Sequence, residues 1–173
     1  MMNKPLVMIS REQIDKRITE LTDEIRRDYK DKKPMFLSIL KGSVIFLSDI
    51  IRKLDMAVEI DFIKLSSYGT DTVSSGEVKL FQDVTLPVEG KDILIIEDIV
   101  DTGLTISFLI DHLKSKNPAS VKLCTLLDKP SRRKVEVHID YTGFTVPDRF
   151  VVGYGIDYNE QYRQLPDICC IDQ

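Results

Sequence analysis

The run Ile93-Leu94-Ile95-Ile96 restricts this chain more than any other feature. Consecutive apolar residues of this kind suit a strand buried on both faces, as the central strands of parallel sheets are. Two carboxylates, Glu97 and Asp98, follow at once, and a third acid, Asp101, comes just before Thr102-Gly103-Leu104-Thr105. That turn opens a helical stretch to Lys116, with Leu109 spaced four residues before Leu113 and lysines near its end. A strand buried on both sides needs helices over each face, so its neighbours decide the fold class.

The neighbours supply the helices. Ser10 followed by Gln13 is a capping-box signature, and Ile14, Ile18, Leu21, Ile25 and Tyr29 recur at helical spacing until Asp31–Pro34 ends the pattern. Met35–Leu40 reads as a short buried strand. After Lys41-Gly42-Ser43 a second helix is predicted, with Val44, Leu47, Ile51 and Leu54 along one side. Ala57–Leu65 alternates as a half-buried strand does, Glu77–Val84 resumes as a strand, and Val121–Leu127, Phe150–Val152 and Ile168–Ile171 read as further strands. Strands alternating with helices predict an α/β fold, an open, mainly parallel twisted sheet flanked by helices. The polar, Gly-containing stretch Ser66–Gly76 suits a loose hairpin tip or a mobile lid, and by itself slightly favours the hairpin. With no repeat or linker across 173 residues, one domain spanning 1–173 is expected.

Ligands of open α/β sheets bind at the carboxyl ends of strands, which places a site at Glu97–Thr105. Free amides at the helix start, with Gly103 allowing a close turn and Thr102 and Thr105 adding hydroxyls, suit a phosphate. The Gly-Lys-Ser/Thr ending of a nucleoside-triphosphate loop is missing. A Glu-Asp pair alone would read better as a surface acidic turn at the start of a helix. Here the pair stands between a buried strand and a phosphate-type turn, where Glu97 and Asp98 suit ribose hydroxyls and Mg²⁺, an ion held by a few carboxylates plus substrate oxygens.

Composition closes off other classes. Lys and Arg total 24 against 28 Asp and Glu, a net charge of -4, so the basic face of a general nucleic-acid binder is not expected. Hydrophobic residues make up 43%, enough for a core, yet no unbroken apolar stretch reaches the ~18 residues of a membrane span. Cys124, Cys169 and Cys170 are odd in number and two are sequence neighbours, so they read as buried thiols. The opening Met-Met-Asn-Lys-Pro leads into charged sequence without an apolar signal core, and a cytoplasmic location is expected. His112 and His138 lack ligand-spaced partners for zinc.

The string Glu97-Asp98-Ile99-Val100-Asp101-Thr102-Gly103-Leu104-Thr105 resembles the phosphoribosyl pyrophosphate signature of purine phosphoribosyltransferases. The resemblance runs from Leu40 to the C-terminus through Leu40-Lys41-Gly42-Ser43, Ser67-Tyr68-Gly69, Leu127-Asp128-Lys129 and Phe150-Val151-Val152-Gly153-Tyr154-Gly155-Ile156-Asp157-Tyr158-Asn159-Glu160. It fits best the hypoxanthine-guanine phosphoribosyltransferases of bacterial length. It implies the type I phosphoribosyltransferase fold, with a small hood from the terminal segments and a mobile lid near 66–76.

The implied reaction transfers the 5-phosphoribosyl group from phosphoribosyl pyrophosphate to hypoxanthine or guanine, with Mg²⁺, in purine salvage. On that resemblance Asp101 is the general base at the purine N7. Glu97, Asp98, Asp101, Thr102, Gly103, Leu104 and Thr105 hold the ribose and 5′-phosphate. Lys41, Gly42, Ser67, Tyr68 and Arg163 hold pyrophosphate, with a non-proline cis peptide in the Lys41-Gly42 loop. Lys129 donates to the purine O6, Phe150 stacks on the base, the Val151 backbone reads its edge, and Asp157 lies near the 2-amino group. Glu97, Asp98 and Asp157 are the implied Mg²⁺ ligands, and Glu97, Asp98, Asp101 and Asp157 are expected to gather at one site. The resemblance also implies a homodimer or homotetramer. Two other readings stay open: a transferase for xanthine or another base, and a phosphoribosyl pyrophosphate-sensing regulator that binds nucleic acid. The regulator would need a basic face or an added DNA-binding segment.

Overall fold

A computed structural model describes residues 5–67 and 78–171. The chain runs β1 (Leu6–Ile9), α1 (Arg11–Asp28), β2 (Met35–Ile39), α2 (Val44–Leu54), β3 (Glu59–Ser67), β4 (Val78–Gln82), β5 (Asp92–Val100), α3 (Leu104–Lys114), β6 (Ser120–Asp128), a 3-10 turn (Pro130–Arg132), β7 (Tyr141–Thr145), β8 (Val151–Val152) and β9 (Ile168–Cys170). The first helix starts where its capping box requires. The Ser10 hydroxyl accepts from the Gln13 amide at 3.4 Å, and the Gln13 side chain accepts from the Ser10 amide at 2.9 Å. Ile14, Ile18, Leu21, Ile25 and Tyr29 are all buried, as their spacing predicts.

The large sheet has the order β4-β3-β2-β5-β6-β7, parallel except for the antiparallel β4 at its edge. Successive strand residues point to opposite faces, which divides the core in two. Phe36, Leu94 and Ile96 pack with α1 and α2, whereas Leu37, Ile39, Ile93 and Ile95 pack with α3. The expected sheet covered on both faces is therefore present. A small antiparallel sheet, β1-β9-β8, joins the two terminal segments into the expected hood.

Strand order also fixes where a ligand can enter. From β2 the chain moves outward to β3 and β4, then returns to the other side of β2 as β5 and continues to β6 and β7. The connections leaving β2 and β5 thus part toward opposite faces, and the crevice between them is a topological switch point.

Several boundaries differ from expectation. The α2 helix fully buries Phe46, Leu47, Ile50 and Leu54, while Val44 and Ile51 are only half-buried. The helix packs against both α1 and the sheet, and that packing, more than a single seam, selects its face. The β5 strand continues past the apolar run to Val100, because β6 goes on pairing with it through Glu97–Thr125, Ile99–Leu127 and Val100–Asp128. Glu97 and Asp98 are therefore strand residues rather than part of a turn. The β1 and β7 strands were not anticipated. Gly143 obscures β7 by breaking its pattern, yet a side chain there would run into the Leu126 carbonyl of β6. Strands β3 and β4 pair as a hairpin, and the expected lid, with Tyr68, lies mostly outside the described residues. All three cysteines are buried and unpaired, and among the described residues no helix is long and apolar enough to cross a membrane.

Candidate active site

Three loops meet at the carboxyl ends of β2, β5 and β6. After β2, the Leu40–Lys41 peptide is cis, and the Ser43 hydroxyl donates to the Ile39 carbonyl at 2.6 Å while meeting the Ser38 hydroxyl, also at 2.6 Å. This internal bonding draws Lys41-Gly42 back over the strand end. Among the described residues, the amides of Lys41 and Gly42 find no protein acceptor. Gly42 lies directly against Asp98: a Cβ there would overlap Asp98 Oδ2 and sit 2.7 Å from its Cγ.

Glu97 is 7% exposed and has no cationic partner among the described residues. Its carboxylate accepts from the Asp98 amide at 2.9 Å, and Asp98 in turn accepts from the Ile99 amide at 2.7 Å. Burial, followed by the neighbouring Asp98 charge, holds the Glu97 carboxyl well above the usual carboxylate range. Two hard oxygen donors whose charge is uncompensated by protein suit a divalent cation completed by substrate oxygens, so the pair fits Mg²⁺.

The next turn carries Asp101, Thr102 and Gly103, and Gly103 has φ 82°. The Leu104 amide bonds the Thr102 hydroxyl at 3.4 Å, and α3 begins there. Asp101 Oδ1 is buried and, among the described residues, accepts no hydrogen bond; Arg132 Nε lies 3.5 Å away. A carboxylate oxygen that accepts no hydrogen bond can take a proton from a ligand that reaches it and displaces Arg132.

From the end of β6, Lys129 is 6% exposed and donates to the Arg149 carbonyl at 2.8 Å, with Asp148 at 3.9 Å. One ammonium proton is thereby fixed, and two remain for a ligand. Phe150 is half-buried and meets Tyr158 edge-on, with ring centroids 5.1 Å apart, so its partner in this structure is an aromatic that the sequence did not single out. Val151 lies in β8 opposite Cys170.

The two expected pyrophosphate cations are occupied by acids of the chain itself. Lys41 Nζ lies 3.0 Å from both Glu160 oxygens. Arg163 pairs with Asp157 at 2.8 Å and with Glu160 at 3.5 Å, and it donates to the Gly155 carbonyl at 2.7 Å. Asp157 thus faces a guanidinium. Among the described residues, no group of three or more acidic, His or Cys side chains is close enough to hold one metal ion. The carboxylates are divided between the end of β5 and the 157–160 turn, where cations of opposite charge hold the second set.

Gly155 joins these two regions. It has φ 96°, and a Cβ would overlap the Gly42 carbonyl, so the turn after β8 presses on the loop after β2. The Gly-x-Gly at 153–155 was a usable signal for this contact. Tyr158 and Glu160 stand in the 150–160 motif with no contact assigned to them, and Arg133 carried no signal, because pairs such as Lys41–Glu160 and Arg133 with the Asp101 carbonyl are made only when remote loops meet. Ser67 ends β3, and Tyr68 is outside the described residues.

A phosphate-type turn at a switch point, with a carboxylate pair beside it and a buried ammonium at the end of the neighbouring strand, is the arrangement that suits a phosphorylated ligand. The comparisons narrow that class. Residues 10–159 match the phosphoribosyl transferase domain. The hypoxanthine-guanine phosphoribosyltransferase of Bacillus subtilis (strain 168) is 51% identical over 162 residues, 94% of this chain and 90% of the relative. A crystal structure of a hypoxanthine-guanine phosphoribosyltransferase from Bacillus anthracis superposes with a TM-score of 0.91 at 45% identity, covering 99% of this chain and 100% of that one. A hypoxanthine phosphoribosyltransferase from Staphylococcus aureus gives a TM-score of 0.92 at 42% identity, covering 99% and 92%. The chain belongs to the phosphoribosyl transferase family, and its fold is the type I fold of that family.

Proposed function

We propose that this enzyme transfers the 5-phosphoribosyl group from phosphoribosyl pyrophosphate to hypoxanthine or guanine, forming IMP or GMP and pyrophosphate in purine salvage. The observation that carries the reading is the convergence of the Glu97-Asp98 pair, the Asp101–Leu104 turn and buried Lys129 at the ends of adjacent strands β5 and β6.

As the bond from ribose C1 to pyrophosphate lengthens, positive charge develops on the sugar and negative charge on the leaving group. Glu97 and Asp98 meet the first, holding the ribose hydroxyls. The amides of Lys41 and Gly42, and the side chains of Lys41 and Arg163, meet the second once Glu160 and Asp157 yield to the incoming anion. The turn from Asp101 to Thr105 holds the 5′-phosphate, with Asp101 taking the purine N7 proton through its unbonded oxygen. Lys129 donates to O6, which favours an oxo group over an amino group. Phe150 turns from Tyr158 to stack on the base, the Val151 backbone reads its edge, and Asp157 lies beside the 2-amino group. Glu97 and Asp98 would hold one Mg²⁺, and Asp157, released from Arg163, would lie at a second; these ions would supply charge neutralisation for pyrophosphate.

We read the whole chain as one catalytic domain, with Ser67 and Tyr68 in a lid near 66–76 that excludes water from the activated sugar. Buried free thiols suit the reducing cytoplasm. More than half-exposed Leu6 and Val7 on the outer strand of the hood suit assembly into a homodimer or homotetramer, which sedimentation will report. The decisive assay supplies Mg²⁺ and phosphoribosyl pyrophosphate with hypoxanthine, guanine, xanthine or adenine in separate reactions. IMP and GMP are the expected products. Nucleotide from adenine alone, or from no base, overturns the reading.

A further inference from the structure

The phosphate turn is gripped from behind by a strap that begins at Lys129. Arg133 is nearly buried, its side chain 9% exposed. Its Nε donates to the Asp101 carbonyl at 3.0 Å while Nη2 pairs with the Asp128 carboxylate at the end of β6. The following amides of Lys134 and Val135 both donate to the Thr102 carbonyl, at 2.9 and 3.1 Å. Gly103 completes the contact: a Cβ would overlap the Val135 carbonyl and sit 3.1 Å from Arg133 Cδ.

Peptide planarity turns this grip into an orientation. In a trans peptide the C=O and the next residue's N–H point in opposite directions. Holding the carbonyls of Asp101 and Thr102 against the strap therefore aims the amides of Thr102 and Gly103 away from it. Among the described residues, neither of those amides donates to a protein acceptor.

We propose that Arg133 is a positioning residue for the 5′-phosphate, fixing the carbonyl side of the turn so that the Thr102 and Gly103 amides are set for the anion. Asp128 neutralises the guanidinium and sets its angle, so the strap transmits the end of β6 to the end of β5. A planar fork is required, because one group must reach a carboxylate and a carbonyl together. The inference rests on reading Asp101–Thr105 as the 5′-phosphate turn.

The test compares wild type, Arg133→Lys and Arg133→Met by calorimetric binding of IMP and of inosine, which differ only in the phosphate, alongside thermal melts and the KM for phosphoribosyl pyrophosphate. Lysine keeps the charge beside Asp128 but cannot span both partners. Both variants are expected to bind IMP about 10-fold more weakly and to show a similar rise in that KM, with inosine affinity unchanged. If Arg133→Met does not fold, Arg133→Lys decides alone. Wild-type IMP affinity in Arg133→Lys overturns the proposal, as does an equal loss of IMP and inosine. A wild-type protein that binds IMP no more tightly than inosine removes the phosphate-turn reading itself.

Discussion

Gly42→Ala separates the chemistry of this site from its stability. The added methyl would overlap Asp98 Oδ2 and lie 2.7 Å from Cγ, where ordinary contact begins at 3.4 Å, so the carboxyl carbon must retreat by about 0.7 Å and the oxygen by more. The obstruction is the far end of a side chain, and the fold should yield at a cost of ~1 kcal/mol, or ~3 °C in Tm for a chain of this size. Catalysis should not yield so easily. Asp98 would lose its 2.7 Å bond to the Ile99 amide and its proposed place beside the ribose. Misplacement approaching 1 Å costs on the order of 10²-fold, and kcat/KM with hypoxanthine should fall by that amount. Gly155→Ala provides the contrast. Its methyl meets the Gly42 carbonyl, a backbone atom, and its φ of 96° is itself unfavourable for alanine. Tm should therefore fall by ~10 °C, from ~3 kcal/mol of overlap and strain. Initial rates and thermal melts on the same preparations are sufficient. A Gly42→Ala enzyme within about threefold of wild-type kcat/KM would refute the proposed role of Asp98.

Asp101→Asn should lower kcat by roughly 10²-fold while calorimetric IMP affinity survives, because the amide keeps the turn but cannot accept the proton. Lys129→Ala should raise KM for hypoxanthine and guanine by about 10-fold or more without making adenine a substrate, since a donor is lost and none is reversed. Glu97→Gln should raise Tm at neutral pH yet reduce activity. The folded-state pKa of Glu97 is raised, so its penalty is absent below the unfolded value and grows as pH rises; variant and wild type should converge in melts near pH ~4. Asp61 has the opposite sign. Burial alone would raise its pKa, but the amides of Leu86, Phe62 and Thr85 and the Thr85 hydroxyl outweigh that and lower it. Its contribution is therefore complete above the unfolded pKa and lost as pH falls through the folded one. Asp61→Asn should cost ~2 kcal/mol at neutral pH and flatten the acid limb of a denaturation series.

Much of this protein was legible in its sequence. The run Ile93–Ile96 had to be buried on both faces, the Ser10-Gln13 box had to start a helix, and the acids and Thr-Gly-Leu-Thr that follow had to lie where that strand ends. These features are local. Side-chain alternation, capping and the turn permitted by glycine operate within a few residues, so a one-dimensional reading captures them.

Only the tertiary structure decided the rest, because the deciding partners are distant along the chain. Pairing with β6 carried β5 on to Val100 and made Glu97 and Asp98 strand residues. Packing against α1 and the sheet chose the buried face of α2. The 157–160 turn, brought over the loop after β2 by Gly155, gave Lys41 its partner Glu160 and set Asp157 against Arg163. Arg133 is one more charge in a basic stretch until the fold sets it between Asp128 and the Asp101 carbonyl. Local pattern specified which groups this chain possesses; closure of the sheet and loops specified which of them meet.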